Sequence, residues 1–512
     1  LNESLNSLSG LENLESIEGD VYIDSNDSLD NMSGMDNLGI ISGDLILTNS
    51  TAIHMFSGLD TLELIGGSLM VYDNSTLEDF AGLENLATIG GDLIVGKYDD
   101  PQIHGNNSLV NFTGLENLNE VGGNVEVKHN ESLNTLAGLE NLQIIDMSLK
   151  IELNNALNTI AALENLTNIG NDLILQSNPN LGSFAGLENL LEIGGDMVLS
   201  NCDLIVDLTG LNGLQTIGGN AVIGGYGYPN IHGNNNLVNL AGLESLLEIG
   251  GVLSIRNNGS LSSLTGIENL GVINGSLAIQ GNDQLPNLDG LDDLQNVGSD
   301  SNGYGLKIDS NTGLTSLMGV ENLTSVEGGL FIRNNDNLMN LVGLENLGAV
   351  GGFIDIKYND VLTNLTGLES IEPESINNLN IYSNPSLSVC DAEAICNILS
   401  TASAEVFIGF NAAGCNSVEE VEQDCLVSTE ELSSWQSEFR IFPNPAKDVI
   451  YLNMPDNMTL RGVEVYNQTG CCILQTEHFE GGFDITSLSK GLYFVGIETD
   501  KGFFREKLII QY

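Results

Sequence analysis

A five-residue string, Gly-Leu-Glu-Asn-Leu or a close variant, begins at positions 10, 34, 58, 82, 114, 138, 162, 186, 210, 242, 266, 290, 319, 343 and 367. Self-similarity at a fixed period of this size points to a repeat architecture in which no unit buries its own apolar face. The spacing is 24 residues in eleven of the fourteen intervals; two are 32 and one is 29, as expected of loop insertions that leave the core pattern intact. With the Gly counted as position 0, apolar residues recur at 1, 4, 7, 11, 13, 19 and 22, and an Asn usually stands at 16. In the unit opening at Gly82 these include Leu83, Leu86, Ile89, Leu93 and Val95. Steps of three and four with a single step of two do not describe a helix; they describe a coil that turns corners and carries one short strand. That strand covers positions 10 to 14, as in Ser68-Leu69-Met70-Val71-Tyr72, and is entered through Gly66-Gly67. One strand per turn predicts a mainly β chain, a right-handed solenoid with one parallel sheet, about 70 Å long at roughly 4.8 Å per turn.

A lone unit gains ~2 kcal/mol from each buried aliphatic side chain, whereas ordering each residue costs ~1 to 2 kcal/mol. Stacking must therefore supply the missing burial, and the Asn near position 16 can hydrogen-bond along the stack as a ladder. Cys202 occupies that place in its unit and reads as a buried structural thiol.

These units resemble leucine-rich repeats, and more closely the receptor L-domain type, with its pattern Leu-x-x-Ile-x-Gly-x-Leu-x-Ile-x-x-Asn. The resemblance covers roughly residues 1 to 388. It implies a leucine-rich-repeat-like fold and a binding module, without naming a ligand. The opening residues Leu1 to Leu8 match positions 15 to 22 of a unit, so the chain is expected to be a piece of something longer.

Pro373 interrupts the last unit, and residues 389–426 change composition, holding Cys390, Cys396, Cys415 and Cys425. Asp391 to Leu399 reads as a short helix, and Ser417 with Glu420 as a capping box for another. A Cys-rich helical cap over the end of the solenoid is expected. Of the three pairings that four cysteines allow, Cys390 with Cys415 and Cys396 with Cys425 is favoured. Disulfides imply an oxidising compartment, and the lack of a Cys-x-x-Cys pair speaks against zinc.

Beyond a polar linker at 427–438, alternating segments such as Val449 to Asn453 and Leu492 to Ile497 predict a small β-sandwich over 439–512. Here the runs Phe442-Pro443-Asn444-Pro445-Ala446, Val465-Tyr466-Asn467-Gln468-Thr469-Gly470, Leu488-Ser489-Lys490-Gly491-Leu492-Tyr493 and Lys507-Leu508 follow one another. Together they resemble the C-terminal sorting domain of the type 9 secretion system of Bacteroidetes; the Cys471-Cys472 pair departs from that pattern. The resemblance implies contact with the secretion machinery and a secreted or cell-surface destination. Pro443, Asn444, Pro445, Gly470, Gly491, Tyr493 and Lys507 are then sorting-motif residues.

Charge narrows the function classes. Asp and Glu number 70 against 14 Lys and Arg, a formal charge of -56, which excludes a basic footprint for nucleic acid. No apolar run approaches the roughly 18 residues of a membrane span. No phosphate-binding loop, zinc-protease or nucleophile-elbow motif stands out, so no catalytic residue is assigned. The Glu at position 2 (Glu84, Glu116, Glu140, Glu164, Glu188) recurs too regularly for acid-base chemistry and reads as solvated or turn-capping. No metal site and no cofactor are assigned, although turn Asp and Asn residues offer the oxygens that calcium takes. Two insertions share Pro-x-Ile-His-Gly-Asn-Asn and carry Tyr98, His104, Tyr226 and His232; a duplicated five-unit block explains them, and a pair of binding loops is the other reading.

The seven basic residues of the solenoid are not scattered. Lys128, Lys150, Arg256, Lys307, Arg333 and Lys357 fall at strand positions 12 or 14, and Lys97 one place later. Side chains at 12 and 14 should point out of the sheet while 11 and 13 point in. The same face should expose Tyr22, Ile46, Met70, Ile94, Tyr72, Ile174, Val198, Val222 and Phe331, and pair Glu126, Lys128, Lys150 and Glu152 in a cross-strand charge lattice. The expectation is a non-enzymatic binding or adhesion protein that presents this face to a protein or glycan. The alternative is the targeting arm of a secreted hydrolase whose catalytic domain lies upstream. A mineral or ice binder would need a regular outward Thr or carboxylate array, and the outward residues vary too much for that.

Overall fold

In the computed structural model the described residues are 2–99, 102–225, 232–401, 404–435, 440–454, 459–467, 472–476, 482–499 and 502–511. Two compact units emerge, Leu1–Val421 and Glu422–Tyr512.

The first unit is a parallel β-solenoid. Its wide sheet has sixteen strands in chain order, of which Leu69–Tyr72 and Leu93–Val95 are typical. The register advances by one repeat per strand: Leu69 pairs with Leu93, Met70 with Ile94 and Val71 with Val95. The expected single sheet is accompanied by a second, narrow one of fourteen two-residue strands at positions 6 and 7, such as Thr88–Ile89. Each of these strands has only one inward residue, so in the sequence it is indistinguishable from a corner.

A constant period stacks like on like. At position 22, Phe56, Phe80 and Phe112 are fully buried and their rings lie parallel, with centroids 5.6 and 5.2 Å apart. The backbone turns are held just as regularly. Asn154 is fully buried; its Oδ1 accepts the Asn130 N–H at 3.0 Å and its Nδ2 donates to the carbonyls of Val127 and Glu152 at 2.8 and 3.2 Å. The ladder passes through Cys202 and Asn234 and ends at Asn411, beyond the recognisable repeats. At position 10 another row of side chains does the same at the sheet margin: Asp44 Oδ1 accepts the Ser68 N–H at 2.7 Å, and Ser68 Oγ the Asp92 N–H at 3.0 Å.

Position 0 needs glycine for two reasons at Gly82. Its φ is +103°, and a Cβ there would lie 2.3 Å from the Phe56 carbonyl carbon in the turn below. Where the repeat has Ala162 instead, the chain forms a 3₁₀ turn, Ala161–Leu163, in place of the left-handed bend.

Residues 389–426 are not only a helical cap. Helix α1 spans Glu393–Thr401, and the strand Glu405–Gly409 then adds to the wide sheet beside Ile376–Tyr382. Cys390 is bonded to Cys415, and Cys396 and Cys425 are also disulfide-linked. Helix α2 spans Val418–Trp435, so most of the segment expected as a polar linker is helical. Ser417 Oγ accepts the Glu420 N–H at 3.2 Å, while the Glu420 carboxylate takes the N–H groups of Gly414 and Asn416 rather than that of Ser417.

The second unit is built from antiparallel sheets of three and four strands. The longest pair is Gly491–Thr499 with Gly502–Ile510. Ile450, Val465, Ile485, Ile497 and Leu508 form its buried core.

Candidate functional site

The wide sheet alternates as its sequence requires. In Val125–Lys128 the residues Val125 and Val127 are buried, while Glu126 and Lys128 remain partly exposed. Strand pairing then sets Tyr22, Ile46, Met70, Ile94, Glu126, Lys150, Ile174, Val198 and Val222 in one outward column. Exposure along it is uneven. Tyr22 is 60% exposed, but Val198 is only 2% exposed and Phe331, further along, only 3%. The expectation of an exposed Phe331 is therefore corrected: alternation sets the direction in which it points, and its neighbours cover it.

Two charged groups stand on this face. In the first, Lys128 Nζ lies 3.0 Å from Glu126 and 2.9 Å from Glu152, and Lys150 lies 3.5 Å from Glu126. Burial works against the charge on Lys128, but its hydrogen bonds to Glu152 and Glu126 overcome this and hold it above its ordinary pKa. This lattice neutralises itself.

The second group surrounds Phe331. The Arg333 guanidinium lies 4.5 Å from the ring centroid, Lys357 Nζ 5.2 Å and Lys307 Nζ 5.8 Å, and the Tyr304 ring meets it edge-on at 5.3 Å. Cations over a ring face attract its quadrupole. Carboxylates interleave: Arg333 reaches Asp309 at 2.8 Å and Lys357 reaches Asp355 at 2.7 Å. Burial opposes ionisation of Asp309, yet hydrogen bonds from Arg333, Asn334 and Ser310 keep its carboxyl below the usual range. Burial lowers Lys307 and Arg256 relative to their ordinary values.

Beyond this group runs an aromatic strip that sequence reasoning missed. Tyr358 to Tyr382 is 5.8 Å between centroids, Tyr382 to Phe407 5.4 Å, and Phe407 to Phe410 6.5 Å. Tyr358, Phe407 and Phe410 are 46%, 47% and 72% exposed. Phe407 and Phe410 come from the Cys-rich segment, where no repeat position announces which way a side chain points.

Other expected residues are placed separately. Tyr72 lies under Lys97, whose Nζ is 5.7 Å from its ring centroid. In the first insertion Lys97–Asp99 pairs antiparallel with Gln102–His104, which fixes the backbones of Tyr98 and His104; their side chains, and all of Tyr226, lie outside the described residues. His232 is exposed, and its carbonyl accepts Ser200 Oγ at 3.4 Å. The recurrent Glu caps turns: Glu84 accepts the Gly82 N–H at 3.0 Å, and Glu116 that of Gly114 at 3.0 Å. Among the described residues no group of three or more His, Cys, Asp and Glu side chains could hold a metal ion.

In the second unit Asn444 ties an early loop to the last strand. Its Nδ2 donates to the Lys507 carbonyl at 2.5 Å, and its Oδ1 accepts the Ile509 N–H at 2.9 Å. Ala446 continues the contact through backbone bonds to Ile509 and Gln511. Tyr493, packed in the core, donates its hydroxyl proton to the Ser489 carbonyl at 2.8 Å, two residues before Gly491. Pro443 and Pro445 flank Asn444, and Gly470 lies outside the described residues.

Residues 440–511 match the family described as Secretion system C-terminal sorting domain, and residues 248–342 match Receptor L domain. The chain is a leucine-rich-repeat-like protein with a type 9 secretion sorting tail. No match is found among curated proteins. The sorting domain directs export to a secreted or cell-surface location and implies contact with the secretion machinery. Both matched families are non-catalytic. Among the described residues no helix is long and apolar enough to cross a membrane.

Proposed function

We propose that this is a non-enzymatic binding or adhesion protein whose solenoid presents the outer face of its wide sheet to a protein or glycan. One observation carries the reading: on a chain of formal charge -56, all seven basic residues of the solenoid stand on that face or one residue past it. A surface formed by chance would scatter them. The exposed aromatic strip continues the same face, and aromatic and Arg side chains are the usual anchors of binding surfaces.

The experiment is capture on printed glycans and on a panel of extracellular proteins, comparing the natural chain with the Tyr358→Ser, Phe410→Ser double variant. Both side chains are exposed, so thermal unfolding should stay put while capture falls at least tenfold. Undiminished capture would remove the face assignment. Reversing Arg333 and Lys357 to Glu is a poorer test, because it would set like charge against the buried Asp309 and Asp355 and lower stability.

A further inference from the structure

Arg256 differs from the cations around it. Lys128, Lys150, Lys307, Arg333 and Lys357 each have a carboxylate oxygen between 2.7 and 3.8 Å away. Arg256 has none among the described residues, and its Nε, like that of Arg333, is buried without a hydrogen-bond partner. Its strand neighbour on the same face, Ser254, is 3% exposed and its Oγ is also unpartnered. Leaving a buried polar group unpaired costs about 1–3 kcal/mol, and more when it is charged. Such groups are rare enough in folded proteins to require a reason.

The surroundings supply one. Register places Gly224 beside Arg256, and Ala278 beside Ser254. Each therefore has one small neighbour on the face, Gly224 for Arg256 and the 3% exposed Ala278 for Ser254, and one longer one, Gln280 and Val222 respectively. The charges of Asp300 and Asp309 act on Arg256, but Asp300 accepts the N–H groups of Asn302 and Tyr304 at 2.8 and 3.1 Å within its own turn and Asp309 pairs with Arg333 at 2.8 Å. What remains is a guanidinium fork with a hydroxyl two residues away on the same face, a donor set suited to a carboxylate.

The rest of the face favours a sugar as the bearer of that carboxylate. Arg256, Arg333 and Lys357 stand in one column, with Gln280 and Asp309 between the first two. Such a column repeats at the strand spacing of roughly 4.8 Å and suits a ligand that is itself periodic. Tyr358, Tyr382, Phe407 and Phe410 offer ring faces at its far end. The net negative charge of the chain disfavours a long polyanion, but this repulsion is screened beyond about 8 Å at physiological ionic strength, leaving short acidic oligomers free to dock.

We propose that Ser254 and Arg256 form the carboxylate-binding subsite of an acidic-glycan site, with the neighbouring sugar rings running along the sheet toward Tyr358 and Tyr382. This rests on the binding-protein reading of the face and names its ligand class. The test is calorimetric titration of the full chain with hexagalacturonate, its methyl ester and hexaglutamate in about 0.15 M salt. Hexagalacturonate should bind, and its ester, which keeps the rings and loses the charges, should bind at least tenfold more weakly. Arg256→Gln should weaken hexagalacturonate at least tenfold without lowering the unfolding temperature. Arg256→Lys, which keeps the charge but not the fork, should fall between. Equal affinity for hexaglutamate would overturn the sugar assignment, and an unaltered Arg256→Gln would overturn the subsite. Absence of hexagalacturonate binding, while the face still captures another ligand in the array assay, would sink this inference and leave the broader reading standing.

Discussion

Cys202 sits in the buried ladder where most other turns have Asn, and exchanging it for Asn measures what that ladder contributes. Its backbone N–H donates to Asn234 Oδ1 at 3.0 Å, so the chain side of the rung is intact. Its side chain is not equivalent. Sγ lies 3.8 Å from the Leu175 carbonyl and 3.6 Å from that of Ser200, contacts available only to a weak thiol donor. At the rung two turns earlier, Asn154 meets the corresponding carbonyls at 2.8 and 3.2 Å through a full amide. Cys202→Asn therefore adds two N–H···O bonds and replaces the sulfur that accepts the Asn178 N–H with a stronger amide oxygen acceptor. At about 0.5–1.5 kcal/mol net for each, and with part of the gain lost to fitting a slightly different shape, the expected stabilisation is ~2 kcal/mol.

The gain should be local, since repeats interact mainly with their neighbours. Spread over 421 residues unfolding together, it would raise the unfolding temperature by only about 2 °C. Native-state hydrogen exchange is the sharper assay: amides of the turns around Cys202 should exchange roughly 30-fold more slowly. The reciprocal change, Asn154→Cys, should lose a similar amount at its own rung. If Cys202→Asn leaves exchange unchanged or speeds it, while Asn154→Cys is costly, the rung at Cys202 is specified by packing and the hydrogen-bond argument fails.

Four further outcomes are expected. Gly138→Ala should destabilise its turn by more than about 3 kcal/mol, seen as local loss of exchange protection, because its φ is +108° and a Cβ would lie 2.0 Å from the Phe112 carbonyl oxygen. Leu153→Asn should stabilise by ~1 kcal/mol in denaturant titration, since Leu153 is 37% exposed and holds φ at 60°. Burial pushes the Cys202 thiol up to about 12, so the unfolded chain loses this proton first, near its ordinary value of about 8.5. The natural protein should therefore lose more stability than Cys202→Asn between about pH 8.5 and 10; parallel curves would contradict the burial argument. Asn444→Ala, which removes both side-chain bonds to the last strand, should lower the stability of the second unit by ~2 kcal/mol and reduce secretion of the chain, read by immunoblot of the medium.

The parts of the fold legible in the sequence are those that need a residue of one type once per turn. Leu69 and Val71 on alternate positions announce a strand, Gly82 a tight bend, and Asn154 a buried rung, because each answers a demand that recurs 24 residues later. The narrow sheet was hidden because Ile89 satisfies a corner and a two-residue strand equally well. The exposed Asn row at position 3 was overlooked for a different reason: Asn85 donates to the Asp60 carbonyl at 2.6 Å and Asn141 to that of Glu116 at 2.7 Å, yet both read as solvated polar residues within a motif. The site was legible in direction only. Alternation points Phe331 outward, but its cover depends on Tyr304, which lies next to a five-residue insertion, and on Arg333 and Lys357, whose conformations follow from Asp309 and Asp355.

The division between what repeats and what varies also locates function. Positions 0, 2, 3, 10 and 16 serve backbone groups of their own or an adjoining turn, and positions such as 11, 13 and 22 fill the core; changing any of them acts on stability first. Position 15 carries the left-handed backbone that Leu153 strains, whereas positions 12 and 14 answer to neither demand. Along position 12 the aliphatic stretches Ile46 to Ile94 and Ile174 to Val222, which suit any sheet face, are interrupted by Tyr22, Glu126, Lys150, Ser254, Lys307 and Asp355, which a shared need for strand-forming side chains does not explain. Buried donors without partners are costly anywhere, and on this face they occur at Ser254, Arg256 and Arg333; Arg333 is also held by Asp309, which leaves Ser254 and Arg256 as the pair without a partner. A stability explanation for that pair would require it to make bonds that it does not make. Recognition of a ligand outside the solenoid, as proposed for this face, would meet that demand.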